Sequence, residues 1–287
     1  MRALYDVPAP AKLNLFLHIL GRRADGYHLL QSVFMLIDWC DVLHFELRAD
    51  GQVSREDLTT PLPPDDLVLR AARLLQQAGG VAAGAHIGIA KHVPAQAGMG
   101  GGSSDAASCL LALNRLWALD LPLERLEALG LQLGADVPFF LRGHNAWVEG
   151  VGERILPLEG EAVLPAARFA VVKPAAGLDT KSIFLSERLK RDSPSARIAG
   201  FAAEHFGFGR NDLQPVAETQ CSDVRQAIDW LATRGLCARM TGSGSAVFAP
   251  MPHQADLTGA PSAWQVRQCS NLGIHPLAGW ASNQNKG

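Results

Sequence analysis

The stretch AGMGGGSSDAAS, residues 97–108, places four glycines among positions 98–102 and follows them with two serines and an acid. Glycine loses more backbone entropy on ordering than any other residue, so a run of it weakens helix and strand alike. Here it stands between two apolar elements. HIGIAKHVP, closed by Pro94, reads as a strand. From about Ser104 to Trp117 the apolar residues 106, 110, 113 and 117 fall on one helical stripe. A strand, a bare turn and a helix in succession leave a helix N-terminus open. Its N–H groups lack intrahelical partners and carry partial positive charge, which together favour an anion. Ser103 and Ser104 add hydroxyls able to bond phosphate or reach a bound Mg2+. The plainer alternatives are a linker, or a tight turn with Ser103 as an ordinary N-cap.

The commoner phosphate loops do not fit. A Walker A loop needs a Gly-Lys pair that is missing here, and the HRD and DFG signals of protein kinases are missing too. Gly98–Met99–Gly100 begins a dinucleotide fingerprint, but Ser103 takes the place of its third glycine. Asp120 lies at the right distance for that motif, yet ahead of Pro122 at a helix start rather than at a strand end.

Two lone charges stand out elsewhere. In LGADVPFFL, residues 133–141, Asp136 is the one acid in an apolar stretch. A desolvated carboxylate is costly, so it either caps a short helix or works as a base or hydroxyl-orienting group. In AKLNLFLHI, residues 11–19, alternation puts Leu13, Leu15 and Leu17 on one face of a strand and Lys12, Asn14 and His18 on the other. Lys12 either reaches solvent or meets Asp136; a meeting would lower the acid's pKa and raise the amine's. Tyr27 and His28 follow a glycine in a loop, a place for stacking or hydrogen bonding. MTGSGSAVFA, residues 240–249, reads as a glycine turn entering a strand.

The remaining elements mix helices and strands without a regular βαβ period, which predicts an α+β fold. VFMLIDW and DVLHFELRA read as two strands, residues 65–77 as a helix capped by Asp65 or Asp66 and ended at Gly79–Gly80. Pro122 opens a further helix to about Leu133. LPLEGEAVLPAA, residues 156–167, is the candidate domain boundary. The net charge of −2 leaves no basic surplus to hold nucleic acid. Five scattered cysteines without a CxxC pair argue against a disulfide framework or zinc site. The first residues lack a signal peptide's apolar region, and no apolar run would span a bilayer. A cytoplasmic protein is expected.

Five stretches, in order, carry a resemblance: PAPAKLNLFLHILGRRADGYHLLQSVF, GMGGGSSDAA, LGADVPFFLRGHNAWVEGVGE, GRNDL and TGSGSAVFA. Together they span residues 8 to 249 and are similar to the GHMP small-molecule kinases. The resemblance implies two α+β domains, a ribosomal-protein-S5-like one over 1–160 and a ferredoxin-like one over 161–287, with the site in the cleft between them. It implies transfer of the ATP γ-phosphoryl group to the 2-hydroxyl of a cytidine-diphosphate-linked methylerythritol, in non-mevalonate isoprenoid synthesis. By match to the family motifs, Asp136 is the catalytic base, Lys12 its partner, and Asn14 positions the hydroxyl. Pro94, Ala95, Gln96, Ala97, Gly98, Met99, Gly100, Gly101, Gly102, Ser103 and Ser104 bind the ATP phosphates, with Mg2+ through Ser104. Tyr27 and His28 match the cytidine site, and Phe184 is its second stacking aromatic. A monomer or homodimer is implied, with no nucleic-acid or membrane partner. The alternatives within the superfamily are mevalonate-, homoserine- and sugar-type kinases. Met99 stands where leucine is more usual, and Asp105 adds negative charge that calls for a neighbouring cation.

Overall fold

A computed structural model describes residues 1–252 and 254–282. Two long strands, β1 (Ala3–Arg22) and β2 (His28–Arg48), form an antiparallel ribbon. The two apolar runs within 28–48 join as one strand, because no glycine or proline separates them. There follow β3 (Val53–Asp57), α1 (Leu67–Gly79), β4 (Gly84–Ala90), α2 (Gly101–Leu116), α3 (Leu123–Leu133), α4 (Val137–Arg142), β5 (Ala146–Gly150) and β6 (Arg154–Pro157). These complete a six-stranded sheet in the order β3-β4-β2-β5-β6, with β1 paired to β2 off that path. Only β3 and β4 run parallel, joined across α1. That helix has the caps its sequence predicts: Asp66 accepts from the Leu69 amide, and Gly80 ends it in the left-handed region.

Beyond the 156–167 stretch lie β7 (Arg168–Lys173), α5 (Thr180–Leu185), α6 (Ile198–Ala203), α7 (Gln214–Gln220), α8 (Ser222–Ala232), β8 (Arg239–Met240), β9 (Val247–Pro250) and β10 (Gln265–Ser270). They form a four-stranded antiparallel sheet, β10-β7-β9-β8. Helices packed against two mostly antiparallel sheets make the fold α+β. Among the described residues no helix is long and apolar enough to cross a membrane.

Three apolar clusters hold this together. Leu110, Leu113 and Leu116 of α2 pack on Phe45, Ile87 and Val148 of the larger sheet. Val172 and Val247 of the smaller sheet pack on Val216, Val224 and Leu231 of α7 and α8. Between the sheets, Leu13, Phe16, Met35 and Trp147 meet Phe169, Val171 and Phe248. Burying a side chain of this size contributes about 1.5–3 kcal/mol. The β1–β2 ribbon is therefore covered on both faces.

That double burial corrects the simple alternation. A register shift between Asn14 and Leu17 changes the phase of β1. Phe16 joins Leu13 and Leu15 in the central cluster, while Leu17 turns to the face of Lys12 and Asn14. His18 leaves that face and packs edge-on against Phe16.

The segment after residue 250, unassigned from its sequence, is structural. After β10 the chain crosses back to the larger sheet, and Leu277 and Ala281 enter its core. The C-terminal unit expected over 161–287 includes His253 and residues 283–287, which lie outside the described residues.

His275 pins this returning segment. Its amide donates to Gly143 O at 2.8 Å, at the end of α4, and its Nδ1 accepts from the Leu277 amide at 3.0 Å. Burial pushes the imidazole down from 6.5 to about 4. An unfolded chain therefore binds this proton in a pH range where the folded chain does not, so stability falls as pH drops from 6.5 towards 4. The shift corresponds to about 3 kcal/mol. Urea unfolding across that range should show a steeper loss for the parent chain than for His275→Asn, which keeps an acceptor but takes no charge. Parallel curves would refute this assignment.

Candidate active site

The glycine run is more deeply embedded than its pattern suggests. α2 begins at Gly101, about three residues early, so Gly101 and Gly102 form its first turn. Gly100, at the N-cap, brings no side chain to close it. The Ser104 amide bonds to Gly100 O at 2.9 Å. The amides of Gly101, Gly102 and Ser103 have no partner among the described residues. An uncapped first turn of this kind is an anion site in waiting.

Two of the glycines differ in what demands them. At Gly98, with φ +69°, a Cβ would lie 2.3 Å from the Thr241 carbonyl oxygen. The close approach of a second glycine turn requires it. Gly102 is exposed and helical, and a Cβ there would have only Leu67 Cδ1, at 3.5 Å, within reach. Nothing in the fold forbids a side chain there.

That second turn is TGSGS, the hairpin between β8 and β9. It is stitched to the first by Ser245 N to Gln96 O at 3.1 Å and Ala246 N to Ala97 O at 3.3 Å. β1 joins both, since Lys12 N donates to Met99 O at 2.9 Å and Asn14 N to Thr241 Oγ1 at 2.8 Å. Around this junction opens a cavity of about 1260 Å3. Every residue from Pro94 to Ser103 lines it, as do Lys12, Asn14, Tyr27, His28, Asp136 and Phe184.

Lys12 and Asp136 do meet, Nζ to Oδ2 at 3.5 Å. The lysine side chain is only 5% exposed and the carboxylate 30%. Asp136 occupies the N-cap position of α4 but makes no capping bond, so its carboxylate is free to face the cavity. Lys12 donates to Asn14 Oδ1 and lies 4.3 Å from the centroid of the Phe34 ring. Asn14 is oriented in turn by donating to Ser32 Oγ at 2.8 Å. One expectation fails. The pKa of Lys12 is lowered rather than raised, because burial outweighs the attraction of Asp136.

At the cavity's other end, Tyr27 is exposed, and the rings of His28 and Phe184 lie 5.2 Å apart and tilted. Arg191 donates its Nε–H to His28 Nε2 at 3.0 Å. Burial first, then the charges of Arg191 and Arg22, lower the imidazole's pKa and favour the neutral ring.

Ser104 is not in the cavity. It is fully buried and donates its hydroxyl to Pro10 O at 2.7 Å; Ser103 is the serine that faces the opening. The earlier helix start explains this, because it turns the next residue inward. Asp105 has the cation it calls for in Lys91, which it shares with the fully buried Asp41. Burial works against the Lys91 charge, yet the two carboxylates hold its pKa above the ordinary value. Burial above all pushes Asp105 up, against the pull of Lys91. Neither Lys91 nor Arg191 was legible as a site residue. Lys91 closes a strand where lysines commonly reach solvent, and Arg191 lies in a stretch without periodicity.

The chain has clear relatives. The GHMP kinases N terminal domain matches residues 66–144 and the GHMP kinases C terminal domain residues 195–270. A 4-diphosphocytidyl-2-C-methyl-D-erythritol kinase of Variovorax paradoxus is 66% identical over 98% of this chain and its own full length. One from Albidiferax ferrireducens is 68% identical over 98% of this chain and 96% of its own. A crystal structure of 4-(cytidine 5'-diphospho)-2C-methyl-D-erythritol kinase superposes with TM-score 0.75 at 30% identity, over 93% of this chain and 99% of that one. A homoserine kinase from Cytophaga hutchinsonii superposes with TM-score 0.71 at 16% identity, a likeness of fold alone. The fold is that of a small-molecule kinase of the GHMP class. Within that class the chain belongs to the 4-diphosphocytidyl-2-C-methyl-D-erythritol kinase family.

Gly102 offers a direct test of why the loop is bare. Alanine there should hold or raise Tm, since alanine is favoured over glycine inside a helix by about 1 kcal/mol. ATP affinity, measured by calorimetry, should nevertheless fall about tenfold or more, as a methyl blocks the backbone approach. Undiminished ATP affinity in Gly102→Ala would show that the bare first turn does not contact the phosphates.

Proposed function

We propose that this chain phosphorylates the 2-hydroxyl of 4-diphosphocytidyl-2-C-methyl-D-erythritol with ATP, giving the 2-phosphate, in the cytoplasm. One observation carries the reading. The Lys12–Asp136 pair, an uncapped helix N-terminus and an aromatic patch all line one cavity. An ATP triphosphate on the amides of Gly101 to Ser103 would bring its γ-phosphoryl group towards Lys12. A cytidine between Tyr27 and Phe184, with its edge on His28, would bring the acceptor hydroxyl in from the opposite side. In this reading residues 1–160 supply the glycine loop and the charged pair, and residues 161–287 supply Phe184 and the second glycine turn.

Phosphoryl transfer depends on positioning and charge stabilisation more than on covalent chemistry. Asp136 orients the acceptor hydroxyl and takes its proton; its unused N-cap position keeps the carboxylate off the helix amides, with Oδ2 beside Lys12. Lys12, buried and held by Asn14 and Phe34, is a preorganised cation for the charge developing on the attacking and transferring oxygens. Among the described residues no cluster of three His, Cys, Asp or Glu side chains is placed to hold a metal. The donors present suit a Mg2+ carried on the triphosphate, with the Ser103 hydroxyl in place of Ser104 as the protein oxygen facing it. Such an ion would neutralise phosphate charge during transfer.

Assays with ATP and a panel of acceptors should show turnover of the cytidine-linked alcohol, with mevalonate, homoserine and galactose left untouched. Preferred turnover of one of those three would overturn the reading. Asp136→Ala should lower kcat by about 10²–10⁴-fold while ATP still binds. A kcat near that of the parent chain would remove Asp136 as the base.

A further inference from the structure

We propose that Arg191 is a positioning residue of the base-binding end of the cavity, which it sets up by fixing His28 as a hydrogen-bond donor. The proposal deepens the cytidine reading given above and rests on it. Arg191 spends its guanidinium on two tasks. Its Nε–H goes to His28 Nε2 at 3.0 Å. Its terminal nitrogens go to the carbonyls of Phe184 at 3.2 Å, Ser186 at 2.8 Å and Leu189 at 3.1 Å. One planar fork therefore joins the β2 end that carries His28 to the last turn of α5, which carries Phe184, and the segment after it. A lysine ammonium could not span both.

The tautomer follows from the bond's direction. A guanidinium only donates, so Nε2 must offer its lone pair and the ring proton must sit on Nδ1. Protonating Nε2 as well would set two donors against each other. The lowered pKa of His28, which comes from burial and from Arg191 and Arg22, points the same way. Nδ1 has no partner among the described residues, and His28 lines the cavity. Between Tyr27 and Phe184, His28 thus offers the cavity a donor. It favours a base whose edge carries an acceptor at the position His28 Nδ1 meets. Cytosine has one at N3, where uracil carries a proton.

The first experiment needs no substitution at 191. Long-range proton–nitrogen spectra of the labelled full chain at neutral pH, with His28 assigned by its loss in His28→Asn, should show Nδ1 protonated and Nε2 bare. A His28 protonated on Nε2 overturns the proposal. In steady-state assays Arg191→Met should raise KM for the cytidine-linked acceptor about tenfold, the scale of one lost hydrogen bond. KM for ATP should move less than about twofold, the scale left when no hydrogen bond is lost. Preference for the cytidine over the matching uridine compound should fall by a similar factor, and the His28 spectrum should show mixed tautomers. An unchanged acceptor KM and base preference would overturn the proposal. So would a rise shared equally by ATP and acceptor, which is what a merely structural arginine gives. If the parent chain does not turn over the cytidine-linked acceptor, it is the functional reading that fails; the tautomer spectrum still decides the arginine's part.

Discussion

An ammonium with almost no exposed surface has to be solvated by the protein around it, and Lys12 sets that requirement for the whole cleft. A buried, unpaired charge is costly enough that the group would otherwise give up its proton. Here Asn14 Oδ1, the Phe34 ring and the Asp136 carboxylate take water's place. Each needs a different piece of the fold. Asn14 needs Ser32 across the β1–β2 ribbon, and Asp136 needs a short helix that begins without its help. The charge stays lowered in pKa but paired, ready to meet a second negative charge.

The two glycine turns follow from the same geometry. The backbone of β1 at Lys12 and Asn14 is hydrogen-bonded to one turn and to the other. Gly98 lets their backbones touch, so the loop beneath the open helix end is braced by the smaller sheet. The phosphate cradle, the charged pair and the base patch are thereby held in one frame, although they come from widely separated parts of the chain.

Much of this was legible because it is local. A glycine run before a helical stripe, a lone acid before Val-Pro-Phe-Phe, and a lysine alternating with leucines each announce a departure from ordinary packing. The helix α1 could be read with both caps for the same reason. What escaped depends on longer-range facts. The bulge after Asn14, which sends His18 away from Lys12, arises because both faces of the ribbon are covered. The choice between Ser103 and Ser104 turned on where the helix starts, the least certain feature of any sequence pattern. TGSGS reads as a plain hairpin until the turn it docks against is known. Arg191 had no pattern at all; only the approach of its turn to β2 gives it a role.

The central claim is that Lys12 and Asp136 act as one unit on the transferring phosphoryl group. A double-mutant cycle of Lys12→Met and Asp136→Asn, followed by single-turnover phosphoryl transfer at saturating ATP and cytidine-linked acceptor, tests it most directly. The account predicts strong non-additivity, with the double variant about as slow as the slower single one. Rate losses that simply multiply would contradict it.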